Sequence, residues 1–304
     1  MGNTFYFDWE VHFMEWLQSL DSPAVLLLAK AVSVIGNEMI MIGLVGMIYW
    51  CVDKHLAKRM AVSILPAFIL SALVKGALLR RRPYMDHSGI ACLRAPHSDG
   101  EIMDPMIQGF SFPSMHSTIS ASGFGTAAYA VRKRPIVIMA VVMPFLIGCS
   151  RFYLGVHYPT DVLSGWMLGA VSIFLLQALY DRLDKKLPIY AGIMLMALPG
   201  ILYCRDAEYF SCLGSTAGFM AAFLFEEKYV KFESTRVPHK FVLRTVFGLG
   251  LFVLVGQAMK LPFSEELLSS HTAAAYAIRT VRYAVSVFVS VGVYPMAFDK
   301  TKII

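Results

Sequence analysis

Apolar residues arrive along this chain in blocks of roughly twenty, about the length that crosses a bilayer as a helix. Short runs rich in Lys, Arg, Pro and Asp separate them. The period-two alternation of a membrane-barrel strand is absent. Lipid offers no partner for free backbone groups, so such blocks are stable as helices. The pattern predicts spans near residues 36–53, 57–79, 114–132, 135–151, 159–180, 188–204, 210–226, 241–259 and 279–297. Residues 23–35 are apolar too; they either continue the start of the chain along the interface or lengthen the first span past Gly36 and Asn37. The first twenty residues lack the basic stretch and apolar centre of a cleavable signal. Their apolar positions recur at helical spacing beside Asp8, Glu10 and Glu15, which predicts a helix lying along the membrane surface.

Composition agrees with this reading. The 304 residues are 57% hydrophobic and 16% charged, where a soluble domain carries about a quarter charged. The net charge of +6 is better explained by cationic loops that set membrane orientation than by nucleic acid. Five cysteines without C-x-x-C spacing argue against a zinc site or redox pair. Cys204 and Cys212 flank a short loop and form a disulfide only if that face is oxidising.

Counting Lys and Arg in alternate loops gives sixteen on one side, including Lys54, Lys58, Arg59, Arg236, Lys300 and Lys302. The other side holds eight, including Lys75, Arg80, Arg81, Arg82, Arg94 and Arg151. The positive-inside bias places the first side in the cytoplasm. The polar stretch 80–113 and the segment "SRFYLGVHYPTD", Ser150 to Asp161, then face outward together.

Three polar clusters share that outer face. They are "KGALLRRRP" with Lys75 and Arg82, "PSMH" from Pro113 to His116, and Ser150-Arg151 followed by His157 and Asp161. Lys75 and Arg82 converge if their helix runs two turns further, and His157 and Asp161 share a helix face if the fifth span starts early enough. A carboxylate at that spacing can fix an imidazole tautomer. Lys75, Arg82, Arg151, the Ser114 hydroxyl and free N–H groups at a helix start suit a multiply charged oxyanion such as phosphate. Two histidines there can divide attack on phosphorus from protonation of the leaving oxygen. Without an acidic cluster to hold Mg²⁺, the charge falls to Lys and Arg alone.

The pattern K-x6-R-P, then P-S-x-H, then S-R-x5-H-x3-D resembles the type 2 phosphatidic acid phosphatase superfamily of membrane lipid phosphatases. The resemblance covers about residues 36–180. It implies an all-α, polytopic helical membrane protein, with a six-helix lipid-phosphatase core and additional C-terminal transmembrane helices. The expected division is 1–35 interfacial, 36–187 core and 188–304 extra spans. By the same resemblance His157 is the nucleophile that forms a phosphohistidine, Asp161 orients it, and His116 is the general acid. Lys75, Arg82, Ser114 and Arg151 bind phosphate, with no metal and no cofactor. Met115 stands where the family's second motif has glycine, a change at a point of close backbone approach. A non-glycine here, the extra spans and Gly36-Asn37-Glu38 make the layout similar to the sphingosine-1-phosphate phosphatase branch.

The substrate implied is a lipid phosphate or pyrophosphate within the membrane: an isoprenoid pyrophosphate such as undecaprenyl pyrophosphate, phosphatidic acid, phosphatidylglycerol phosphate or a sphingoid-base phosphate. Membrane lipids are the expected surroundings, no nucleic acid is expected, and a homodimer stays open. The expected location is the plasma membrane with the site outside, or the endoplasmic reticulum with the site lumenal in a eukaryote. Two rivals are a lipid phosphotransferase of the same family and a transporter or scramblase with a degenerate site. Elsewhere the expectations are ordinary. Arg80 and Arg81 contact lipid head groups, His87 and His97 are solvated, His12, His55, His239 and His271 have no special role, and Arg279 and Arg282 snorkel to the interface.

Overall fold

The computed structural model describes residues 2–20, 22–94, 102–235 and 237–298. Arg236, Lys300 and Lys302, counted above for the cytoplasmic side, and His97 lie outside the described residues. The described chain is helical: α1 (Asp8–Ser19), α2 (Pro23–Ile35), α3 (Glu38–Met47), α4 (Lys54–Leu78), α5 (Met115–Val131), α6 (Arg134–Tyr153), α7 (Pro159–Arg182), α8 (Leu187–Ala197), α9 (Ala207–Phe225), α10 (Pro238–Ala258) and α11 (Ala273–Val287). Single turns at Pro83–Asp86 and Pro105–Gln108 punctuate the long polar stretch. Wider π-helical turns extend α3, α9 and α11.

By length and composition, five helices among the described residues can cross a membrane: α4, α6, α7, α10 and α11 with its continuation to Ala297. The predicted spans over α3 and α8 are shorter apolar helices. Helix α5, "MHSTISASGFGTAAYAV", is 17 residues of largely small side chains and falls outside that set. The reason is its position: α4, α6 and α7 surround it, so protein rather than lipid covers it. Small residues let the backbones close in, as in membrane helix pairs generally. A side-chain carbon added at Gly165 of α7 would stand 2.7 Å from the Ser114 carbonyl oxygen, and one at Gly169 would stand 2.9 Å from that of Thr118.

Helices α9, α10 and α11 form a second group, joined to the first where α9 packs on α4. The N-terminal segment is built into the molecule. Asn3 exchanges backbone hydrogen bonds with Leu79 (2.8 Å) and Arg81 (3.0 Å), and Glu10 and Met14 of α1 are fully buried. Cys204 and Cys212 are buried free thiols, so the structure does not bear out the disulfide. At the opposite end of α4 from Lys75, Lys58 and Glu226 pair at 2.8 Å, Lys54 joins the same carboxylate at 2.9 Å, and Arg59 bonds to Asp181.

Candidate active site

The turn before α7 is set by Gly155. Its φ of +76° is left-handed, and a side chain there would meet the Ala91 carbonyl oxygen at 2.2 Å, so glycine is required. The chain then runs through His157 and Tyr158 and enters α7 at Pro159, whose missing N–H costs nothing at a first helical position. His157 therefore lies ahead of the helix and does not share a helical face with Asp161, contrary to expectation. Asp161 instead reaches back to cap its own helix, accepting the Tyr158 N–H at 2.8 Å. That fold-back leaves Asp161 Oδ2 3.5 Å from His157 Nδ1.

Lys75 and Arg82 converge by a different route as well. Helix α4 ends at Leu78 and Leu79 turns left-handed (φ 52°), so Arg82 stands on the following loop. Its guanidinium donates to the carbonyls of Gln108 (3.1 Å), Gly109 (2.9 Å) and Val156 (3.0 Å). It thereby ties three strands of chain together at the site.

One cavity of about 60 Å³ gathers Lys75, Arg82, His116, Arg151 and His157, with Asn37, Glu38, Arg94, Met115 and Glu208. That is room for more than a single water. Lys75, Arg82, Arg151 and His157 are almost wholly buried. Lys75 meets Glu208 at 3.0 Å. Arg151 donates to the Ser33 hydroxyl of α2, and its buried Nε has no partner.

The Ser114 hydroxyl is not in this cavity. It caps α5, accepting from Ser117 N–H (3.5 Å) and Ser117 Oγ (3.0 Å), while the Ser114 N–H donates to the Asp161 carbonyl (3.0 Å). The first-turn N–H groups of α5 remain, as at any helix start, and Met115 at that turn lines the cavity. Met115 is not among the residues with positive φ, so methionine sits there without backbone strain, and its side chain packs into the core.

Sequence reasoning missed five contributors. Arg80 does not reach for lipid head groups. It is buried, pairs with Asp161 at 2.6 Å and Glu10 at 3.0 Å, donates to Thr160 Oγ1 at 2.8 Å, and stacks 3.9 Å from the Tyr158 ring. Arg80 and the Ser111 hydroxyl thus hold Asp161, and Glu10 holds Arg80. The clue was three consecutive arginines at a helix end, of which only some can face outward. Glu38 and Glu208 add carboxylates to the cavity wall, correcting the expectation that cations stand there alone.

Arg81 pairs with Asp86 at 3.0 Å. His87, expected to be solvated, is half-buried and lies 3.1 Å from the Tyr158 hydroxyl. Arg282 is buried and does not snorkel.

Burial, and then the positive charges of Arg82, Arg151 and Lys75, hold the His157 imidazole well below its ordinary value of 6.5, so it stands neutral and able to attack. Burial, then Arg82, brings the Arg94 guanidinium down to about 10.

Residues 56–185 match the PAP2 superfamily, and residues 210–304 match the PAP2 superfamily phosphatase, transmembrane extension. Phosphatidylglycerophosphatase B of Bacillus subtilis is 38% identical over 25% of this chain and 42% of its own length. Decaprenylphosphoryl-5-phosphoribose phosphatase of Mycobacterium tuberculosis is 31% identical over 53% of this chain and 85% of its own. Sphingosine-1-phosphate phosphatase 2 of Mus musculus is 25% identical over 58% of this chain and 50% of its own. The first and third matches thus span half or less of those relatives.

Proposed function

The chain belongs to the PAP2 superfamily, and from that premise we propose that it is a multi-pass membrane phosphatase acting on a lipid phosphate or pyrophosphate through a phosphohistidine. The observation that carries this reading is one buried cavity holding His157, His116 and three buried cations, with His157 backed by Asp161.

Lys75, Arg82, Arg151 and the first-turn N–H groups of α5 receive the phosphoryl oxygens. With Nδ1 turned to Asp161, the other ring nitrogen of neutral His157 attacks phosphorus. The P–N bond forms as the P–O bond to the lipid breaks, and His116 gives its proton to the departing oxygen. His116 then takes a proton from water, which attacks phosphorus and returns His157 free. Asp161, fixed by Arg80, Ser111 and the Tyr158 N–H, holds the tautomer and offsets the charge that builds on the ring.

The relatives' names span phosphatidylglycerol phosphate, a decaprenyl phosphoribose and a sphingoid-base phosphate, so the substrate class is a phosphate on a long apolar anchor. The loop charge bias supports an outward-facing site.

The test is phosphate release by detergent-purified protein from a panel of lipid phosphates, with EDTA present and His157→Ala alongside. Release that survives EDTA and disappears in the variant is expected. An inert panel, or a variant as active as the parent, rejects the hydrolase reading.

A further inference from the structure

The C-terminal extension carries charge that the catalytic cavity does not include. On α11, Arg282 is 9% exposed and Ser286 is 2% exposed. They are four residues apart and so lie on one face. Among the described residues Arg282 has no acidic partner; its guanidinium meets the Tyr283 side chain, with the ring 5.3 Å away. The buried Ser286 hydroxyl has no hydrogen-bond partner among the described residues. It faces Gly256 of α10, where an added side-chain carbon would stand 3.4 Å away.

Between α10 and α11 these residues wall a cavity of about 120 Å³, together with Gln257, Lys260, Tyr283 and Met39. Among the described residues no carboxylate lines it. Met39 directly follows Glu38, which lines the catalytic cavity, so the two cavities share the first turn of α3.

A cation buried within a span with no carboxylate to offset its charge is costly unless it meets an anion there, and such residues mark functional positions. The wall offers a guanidinium, an ammonium, an amide and hydroxyls, a set made for an anion with several oxygens. The cavity lies between helices of a multi-pass protein, and Val253 and Leu254 beside it are 54% and 65% exposed. A basic pocket of that kind is where lipid head groups dock, with acyl chains along the neighbouring apolar helix.

We propose that Arg282, Lys260, Gln257 and Ser286 form a second anion site, distinct from the catalytic cavity, which seats the phosphate of an anionic phospholipid head group between α10 and α11. This does not rest on the catalytic reading.

The experiment is native mass spectrometry of the full-length protein in detergent, titrated separately with phosphatidylglycerol, phosphatidylcholine and inorganic phosphate. The parent should hold one phosphatidylglycerol per chain in preference to phosphatidylcholine. Arg282→Gln should weaken that binding about tenfold and Lys260→Gln by less, while Arg151→Gln, in the catalytic cavity, should leave it unchanged. Inorganic phosphate bound with the same variant pattern supports the anion site with free phosphate as its source. Phosphatidylglycerol bound alone supports it with a lipid as its source. Lys260→Gln, at the edge of α10, answers the question even if Arg282→Gln does not fold, and it should hydrolyse a water-soluble monoester as the parent does. Unchanged phosphatidylglycerol binding in both variants, or a loss that follows Arg151→Gln instead, overturns the proposal.

Discussion

Helix α4 carries buried charge at both ends, and the two ends treat it differently. At the end away from the cavity, Lys58 lies between Glu226 (2.8 Å) and Glu227 (2.9 Å), and Lys54 shares Glu226. At the end beside the cavity, Lys75 meets Glu208, but among the described residues Arg82 has only carbonyl oxygens and Arg151 a single hydroxyl with Nε unpartnered. Buried charge is costly unless paired and hydrogen-bonded. The first end is a finished ion cluster that joins α9 to α4. The second is an unfinished one, which the proposed function completes with a phosphate.

That contrast is open to attack from both sides. The largest effect expected is at the unfinished end: His157→Ala should lower phosphate release about 10⁴-fold or more, with folding intact, as measured by turnover and thermal unfolding in detergent. At the finished end the effect should fall on stability instead. Glu226→Gln leaves Lys54 and Lys58 facing a neutral amide and should cost about 3 kcal/mol, read from unfolding in detergent, with kcat of the folded protein little changed. A large loss of kcat without loss of stability would dissolve the distinction between the ends.

Arg80→Gln sharpens the comparison, because Arg80 pairs with Asp161 and is not among the residues that line the cavity. It should lower kcat by roughly ten- to a hundredfold with KM nearly unchanged, as loss of a positioning interaction does, and Arg80→Lys should restore part of it. A KM effect alone would make Arg80 a substrate-binding residue.

The smallest effect is on pH dependence. His157 is held below 6.5 by burial first and by Arg82 next, and only the neutral ring attacks. The acid limb of kcat/KM therefore lies below 6.5 where His157 sets it, and activity is lost as pH falls through the lowered value. Arg82→Gln removes part of the repulsion, so its acid limb should move to higher pH on the same substrate. A limb that stays put would assign it to another group.

Much of the cavity was legible in the chain because its cations and both histidines stand at spacings fixed by helix ends. Lys75, Arg82, His116, Arg151 and His157 do meet in one cavity. The geometry behind two of those spacings was not legible. Lys75 and Arg82 converge across a helix stop at Leu79, and Asp161 reaches His157 by capping its own helix. A local spacing says that two groups are near, not which backbone path brings them together.

Glu10, Arg80 and Glu208 were missed for a further reason. Each is charged and each looks like a surface residue in one dimension. Their placement depends on partners 70 or more residues away: Glu10 and Arg80 are buried against each other, and Glu208 is drawn to the cavity by Lys75. Ser114 was read for its hydroxyl alone: a serine before a helix is by default a cap, and here it is one. The helices themselves were readable almost throughout, because lipid permits little else, but among the described residues only five of the nine predicted spans are long and apolar enough to cross a membrane.

The most direct test of the central claim is to trap the intermediate. A lipid phosphate labelled on phosphorus with ³²P should be mixed with the purified protein, quenched within the first turnover in alkali, and the peptides mapped. The account predicts an alkali-stable, acid-labile label on the peptide that carries His157, present in the parent and missing in His157→Ala. Label retained by His157→Ala would contradict it, and so would substrate turnover by the parent without any phosphohistidine on that peptide.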